Sequence, residues 1–147
     1  MNRLYFAYGS NMSTARLQAR IPRAEPAGRA SLTGYQLCCN KRGKDGTGKA
    51  NLAAAPSSVA WGALFHVEEE DWEVLDRYEV GYRRARDQFQ SWTGKAVEAE
   101  IYLATGPEER DIPPLEDYRA YCLDGAIEHA LPASSAATIA RWRVVRD

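Results

Sequence analysis

The sequence has few cysteines, no long apolar segment and almost no surplus of charge, and each shortage excludes a class of protein. Cys38, Cys39 and Cys122 are the three cysteines. An odd number without an export signal indicates reduced thiols rather than a disulfide framework. With two histidines and no CxxC spacing, no zinc or other metal site is expected. No segment is long or apolar enough to span a bilayer.

The charges are balanced, with 19 basic and 20 acidic residues and a formal net charge of −1. Proteins that bind nucleic acids usually carry a marked basic surplus, so no nucleic-acid partner is expected. The first residues lack the basic start and apolar core of a secretory signal. These features predict a cytoplasmic protein that does not associate with membranes.

The 147 residues are enough for one ordinary domain, residues 1–147, with a core that needs no disulfide or metal. Strand-like segments dominate the first two-thirds and helical segments the end, and strands do not alternate regularly with helices. This order predicts an α+β domain. Its mainly antiparallel or mixed sheet could curl into a small barrel, with helices at its flanks.

Turn residues and hydrophobic periodicity give the predicted elements. Strands are expected at 3–8, in two runs of 26–42 separated by Thr33-Gly34, at 59–67 after a short segment at 50–56, and in a hairpin of 82–92 and 95–104. Helices are expected at 14–20 with Ser13 as N-cap, at 69–78, at 115–130, and at 133–143 with Ser134 or Ser135 as N-cap. The glycines of residues 43–49 predict a mobile loop.

Glu79 has an unusual place at the end of the predicted helix 69–78. Trp72 and Leu75 form an apolar stripe whose next position is Glu79, so the carboxylate would face the core. It would also lie at the negative end of the helix dipole. Burial raises the pKa of a carboxyl group, which suits acid/base catalysis near neutrality. Alternatively, the helix has already ended and Glu79 points into water, as most glutamates do.

The segment Tyr8-Gly9-Ser10-Asn11-Met12 links the first predicted strand to the first predicted helix. A glycine lets the backbone come close to a ligand. Successive free N–H groups beside a helix N-terminus suit a carboxylate or an oxyanion. An ordinary tight turn leading into a capped helix explains the same residues. Both interpretations stay open at this point.

Four segments carry a recognisable pattern, in order, along nearly the whole chain. They are Tyr5–Met12; Asn51-Leu52 with Val59–Phe65; Leu75–Glu79 with Gly81–Arg84; and Tyr118 with Gly125-Ala126 and Glu128–Pro132. These segments resemble, respectively, the motifs F-x-Y-G-S-N-M, N-[LI]…V-W-G-[VA]-L-[YF], L-D-x-x-E-G…Y-x-R and Y…G-A-x-E-H-G-L-P of the γ-glutamylcyclotransferase (AIG2-like) family.

The resemblance implies a small mixed β-barrel or strongly curled sheet with flanking helices. It also implies that the α-amine of a small γ-glutamyl substrate attacks its own γ-carbonyl, releasing 5-oxoproline and an amine or amino acid, without a cofactor or metal. Glu79 is similar to the family's catalytic glutamate, which moves the protons. The Tyr8–Met12 turn would bind the γ-glutamyl group. Tyr82 and Tyr118 match tyrosines of the family's pocket, although strand packing and a helix face would also explain them.

Two features depart from the family pattern. Val80 stands where a glycine often follows the glutamate, and only two residues separate Glu79 from Tyr82. Longer versions of this loop shape the pocket, so the leaving group stays open. The alternatives are a non-catalytic binding domain on the same scaffold and an enzyme that removes a γ-glutamyl protecting group from a biosynthetic intermediate. The oligomeric state, monomer or homodimer, also stays open.

Overall fold

The computed structural model describes residues 2–145, apart from the side chain of Asn2. Its strands are β1 Asn2–Ala7, β2 Glu25–Arg42, β3 Gly48–Glu68, β4 Tyr82–Ser91 and β5 Ala96–Ala104. Its helices are α1 Thr14–Arg20, α2 Asp71–Tyr78, α3 Glu116–Glu128 and α4 Ala133–Ala140, with a short 3-10 helix at Ser10–Met12. The predicted α+β class is therefore confirmed.

The five strands form a closed barrel in the order β1-β3-β2-β4-β5. Neighbouring strands are antiparallel except β1 and β5, which pair in parallel at Tyr5 and Glu100. Buried Glu100 strengthens this closure through ion pairs with Arg3 at 2.5 Å and with Arg84 and Arg86, each at 3.3 Å. The prediction of a mixed, curled sheet is confirmed. The sequence left open a strongly curled sheet or a barrel, and the structure has the barrel.

The two long strands, β2 and β3, are more continuous than the sequence predicts. Thr33-Gly34 was expected to separate two strands but forms a bulge, where the register slips between Thr33 and Tyr35 and Gly34 has a φ of +89°. A glycine can adopt this conformation, so it bends the strand without ending it. The predicted segments 50–56 and 59–67 likewise belong to one strand, and the predicted loop 43–49 shortens to the turn before Gly48.

The helices agree with the predicted ones except at their ends. Ser13 caps α1, since its Oγ accepts a hydrogen bond from Arg16 N at 3.3 Å. The predicted cap of the last helix is wrong, because extended Pro132 is the N-cap and Ser134 and Ser135 lie inside α4, which ends at Ala140. The second helix begins at Asp71 rather than at residue 69. Within residues 2–145, no helix is long and apolar enough to cross a membrane.

Candidate active site

A cleft of about 300 Å³, counting its open mouth, brings the predicted turn and Glu79 together. Glu79 is the only carboxylate among the described residues that line it. Across residues 2–145, no three His, Cys, Asp or Glu side chains form a group that could hold a metal ion. The lining residues are Tyr5, Tyr8, Gly9, Ser10, Asn11, Ala50, Glu79, Tyr82, Tyr102 and Tyr118.

Glu79 enters the cleft because the chain turns sharply after α2. The helix ends at Tyr78, and Glu79 is its C-cap with φ −92° and ψ 54°. Tyr82 N then donates to Glu79 O at 3.2 Å, across a turn in which Gly81 has a φ of +84°. The helix has thus ended, as the alternative interpretation expected, but the side chain of Glu79 is half-buried and lines the cleft.

Buried Asn11 holds the carboxylate of Glu79 in place. Asn11 Nδ2 donates to Glu79 Oε1 at 2.7 Å and also to Tyr5 Oη at 3.1 Å. On its other side, Asn11 Oδ1 accepts from Arg20 Nη1 at 3.3 Å. The amide therefore links the turn, the first strand and α1 to one carboxylate oxygen.

The pKa of Glu79 is raised above that of an ordinary glutamate, and the main cause is burial. Arg20 opposes this shift most strongly, followed by the hydrogen bond from Asn11 and the charges of Arg16 and Lys41. Desolvation outweighs these groups. A carboxylate in this state takes up a proton more readily than an exposed one does, which suits general base and then general acid catalysis.

Gly9, Ser10 and Asn11 of the turn line the cleft. Its two internal bonds, Met12 N to Gly9 O and Ser13 N to Ser10 O, are both 3.1 Å long. The N–H groups of Ser10 and Asn11 take no part in these bonds. A Cβ atom on Gly9 would lie 2.9 Å from Ala50 Cβ, so only glycine lets the turn pass this close to β3 without a shift.

The tyrosines of the cleft are fixed by the backbone around them. Tyr118 Oη accepts from Ala50 N at 2.8 Å, and Tyr82 Oη donates to Ala50 O at 2.7 Å. The hydroxyl of Tyr8 donates to Tyr102 O. Burial is the first cause that raises the pKa of each of these phenols. They are therefore neutral hydrogen-bonding groups at physiological pH.

Met12, predicted as part of the turn that binds substrate, does not line the cleft. Its side chain is completely buried, and α3 crosses directly over it. A Cβ atom on Gly125 would lie 2.3 Å from Met12 Cβ and 2.6 Å from its carbonyl carbon. His129 Nε2 lies 2.8 Å from Met12 O, and the Thr14 hydroxyl donates to Glu128. The motif of residues 125–132 thus packs against the turn and holds it in place.

Sequence reasoning missed Tyr5, Tyr102, Arg16 and Arg20. Tyr102 joins the site only when β1 and β5 pair across the barrel closure, whereas Tyr5 joins it locally, through its hydrogen bond with Asn11. Arg16 and Arg20 could have been noticed by their spacing, because residues four apart share one face of a helix that begins just after the turn.

Comparison with known proteins identifies the family. A family profile described as gamma-glutamyl cyclotransferase, AIG2-like, matches residues 5–120. The chain belongs to this family. The chain is also similar to gamma-glutamylcyclotransferases of Bos taurus and Homo sapiens. Each is 30% identical over 138 residues, which cover 88% of this chain and 72% of the relative.

Solved structures share the barrel. One described as a gamma-glutamyl cyclotransferase superposes with a TM-score of 0.92 at 24% identity and covers 100% of this chain and 91% of its own. An uncharacterised protein of Homo sapiens has a TM-score of 0.90 at 26% identity, covering 99% and 90%. The region matched by the γ-glutamylcyclotransferase profile includes the turn, Glu79, Tyr82 and Tyr118. Family membership supports a cyclotransferase, which is an enzyme.

Proposed function

We propose that the chain cleaves γ-glutamyl amides by internal cyclisation, releasing 5-oxoproline and a free amine or amino acid. One observation supports this proposal most strongly. The 2.7 Å hydrogen bond from Asn11 Nδ2 to Glu79 Oε1 joins the turn, a site for the γ-glutamyl group, to the carboxylate of the cleft. Binding and proton transfer can therefore act on the same small substrate.

Glu79 carries the proton steps. The α-amine arrives as an ammonium, loses one proton to Glu79 and attacks the γ-carbonyl carbon. Glu79 now holds the first proton and donates it to the leaving nitrogen, so that the C–N bond of the amide breaks as the ring closes. The attacking nitrogen loses its second proton to the freed carboxylate of Glu79, which passes it to the released amine. General acid/base catalysis of this kind contributes about 10²–10⁴-fold.

The turn supplies the positioning. The N–H groups of Ser10 and Asn11 can bind the α-carboxylate or the oxyanion that develops on the γ-carbonyl. Because attack is intramolecular, much of the rate depends on holding the glutamyl chain in a folded conformer. The fixed phenols of Tyr82 and Tyr118 line the same cleft and can restrict that conformer further. The roles of these residues and of Tyr8 and Gly9 stay predictions.

A panel of γ-glutamyl compounds tests the reaction. We expect 5-oxoproline from compounds with a free α-amine and none from a matched compound whose α-amine is acetylated, because acetylation removes the nucleophile. Failure of every compound with a free amine to yield 5-oxoproline would contradict the proposal. Release of the amine from the acetylated compound would indicate hydrolysis instead.

A further inference from the structure

Five basic side chains line the mouth of the cleft, and we call them the basic rim. Arg16 and Arg20 come from α1, and Lys41, Lys44 and Lys49 come from β2, β3 and the turn between them. The rim residues share this space with Ser10, Glu79, Tyr82 and Tyr118, so the rim is the outer part of the same cleft. Whatever leaves the γ-carbonyl on this side must pass or occupy the rim.

The rim has a clear surplus of positive charge in a chain whose formal net charge is −1. Among the described residues, only Lys49 of the five has a carboxylate within 4.0 Å, and this is Asp45 at 3.7 Å. The five cations thus face two carboxylates, Asp45 and Glu79, which leaves a surplus of three. Arg16 Nε is also buried without a hydrogen-bond partner among the described residues.

The rim places like charges next to each other. Arg16 and Arg20 are four residues apart on α1, where two charges of the same sign destabilise a helix. Lys41 and Lys49 are direct partners in the antiparallel register of β2 and β3, where like charges are also unfavourable. Two such local costs that converge on one opening are expected at a binding site, because a bound anion would offset both.

Gly81, two residues after Glu79, leaves room for Lys41 because it has no side chain. A Cβ atom on Gly81 would lie 2.5 Å from Lys41 Cε and 2.6 Å from its Nζ, so a longer side chain there would displace the ammonium. Lys41 Nζ lies 5.3 Å from the ring centre of Tyr82, and Lys49 Nζ lies 4.7 Å from that of Tyr118. Both lysines therefore lie at the tyrosines that line the cleft.

We propose that the basic rim selects γ-glutamyl amides whose leaving amine carries two or more negative charges. This inference rests on the proposed function, because it places the γ-glutamyl group in the turn and the γ-carbonyl beside Glu79. The γ-glutamyl group is a zwitterion and adds no net charge, so the surplus of the rim is available to the leaving group. An acidic amino acid or a phosphorylated amine matches this surplus, and a cationic amine is repelled.

Matched substrates measure the effect of charge. γ-Glutamylglutamate and γ-glutamylglutamine have nearly the same shape and differ by one negative charge. We expect kcat/KM at low salt to favour the glutamate compound about tenfold, and the preference to shrink as salt screens the rim. The pair γ-glutamyl-O-phosphoserine and γ-glutamylserine differs by a phosphate with nearly two negative charges, so we expect an even larger preference for its charged member.

Variants assign the preference to the rim. Lys41→Gln and Lys44→Gln should each reduce it about twofold to fivefold, the range for single, partly screened charges. Lys44 is exposed, so its variant tests the rim even where the Lys41 variant folds poorly. The matched control is Lys95→Gln, which removes an exposed lysine from the β4–β5 turn and should leave the preference unchanged.

The outcomes separate this inference from the proposed function. Turnover of both compounds without a preference would overturn selection by the rim and leave the reaction standing. If no compound is turned over, the proposed reaction is overturned. If in that case Glu79→Gln protein still binds γ-glutamylglutamate about tenfold more tightly than γ-glutamylglutamine in calorimetry, the anion site is supported. A preference that Lys41→Gln and Lys44→Gln leave unchanged would also overturn the inference.

Discussion

Replacing Glu79 by glutamine separates its proposed proton transfer from its structural contacts. Glutamine has the same size, and its Oε1 can still accept the 2.7 Å hydrogen bond from Asn11 Nδ2. The amide cannot take up a proton, however. We expect kcat to fall about 10²–10⁴-fold, which corresponds to about 3–5 kcal/mol of the barrier, while KM changes only a few-fold.

The same substitution has a defined effect on stability. Burial raises the pKa of Glu79 in the folded chain, so the folded state keeps this proton to a higher pH than the unfolded chain does. The contribution of the group to stability is therefore present below the ordinary pKa of glutamate and is lost as pH rises through the raised value. At neutral pH, the melting temperature of Glu79→Gln should equal or exceed that of the wild type.

Glu73→Gln is the matched control, because Glu73 is exposed on the same helix. It should leave steady-state release of 5-oxoproline unchanged. In thermal unfolding followed by circular dichroism it should lower the melting temperature only slightly, because it removes one of the two acidic side chains in the first turn of α2. A Glu79→Gln protein that keeps kcat within tenfold of the wild type would refute the proposed role of Glu79. A variant that loses activity and melting temperature together would indicate a structural role instead.

Two further substitutions test the surroundings of Glu79. Arg20→Gln removes the charge that most opposes the raised pKa of Glu79, so the acid limb of the kcat/KM profile should move to higher pH, and an unmoved limb would contradict this. Gly125→Ala places a methyl group 2.3 Å from Met12 Cβ. The free energy of unfolding, measured by chemical denaturation, should fall by about 1–3 kcal/mol, and activity should be lost because the turn shifts. Gly106→Ala, which has open space at that position, is its control, and equal stability of the two variants would contradict the close packing.

Features that depend on near neighbours could be predicted from the sequence. Helix α1 and its Ser13 cap, the hairpin of β4 and β5 and the α+β class all follow from local periodicity and turn residues. The stripe of Trp72 and Leu75 also indicated that Glu79 faces inward. Its actual entry into the cleft depends on the tight turn at Gly81, whose positive φ no periodicity reveals.

Features that depend on distant segments could not be predicted. Tyr102 reaches the cleft only through the parallel pairing of β5 with β1. Met12 does not line the cleft, because α3 packs against it at Gly125. The rim was hidden for the same reason, since Arg16 and Lys41 belong to elements that meet only in the fold. The predicted cytoplasmic location and single domain over residues 1–147 stay predictions.

Isotope labelling tests the central claim, internal cyclisation at the Glu79 cleft, most directly. The protein is incubated with a γ-glutamyl amino acid in water enriched in ¹⁸O, and the products are identified by mass spectrometry. Attack by the substrate's own amine predicts 5-oxoproline without ¹⁸O, in equal amount to the released amino acid. Glutamate that carries one ¹⁸O atom would show that water attacks the γ-carbonyl, and this result would contradict the account.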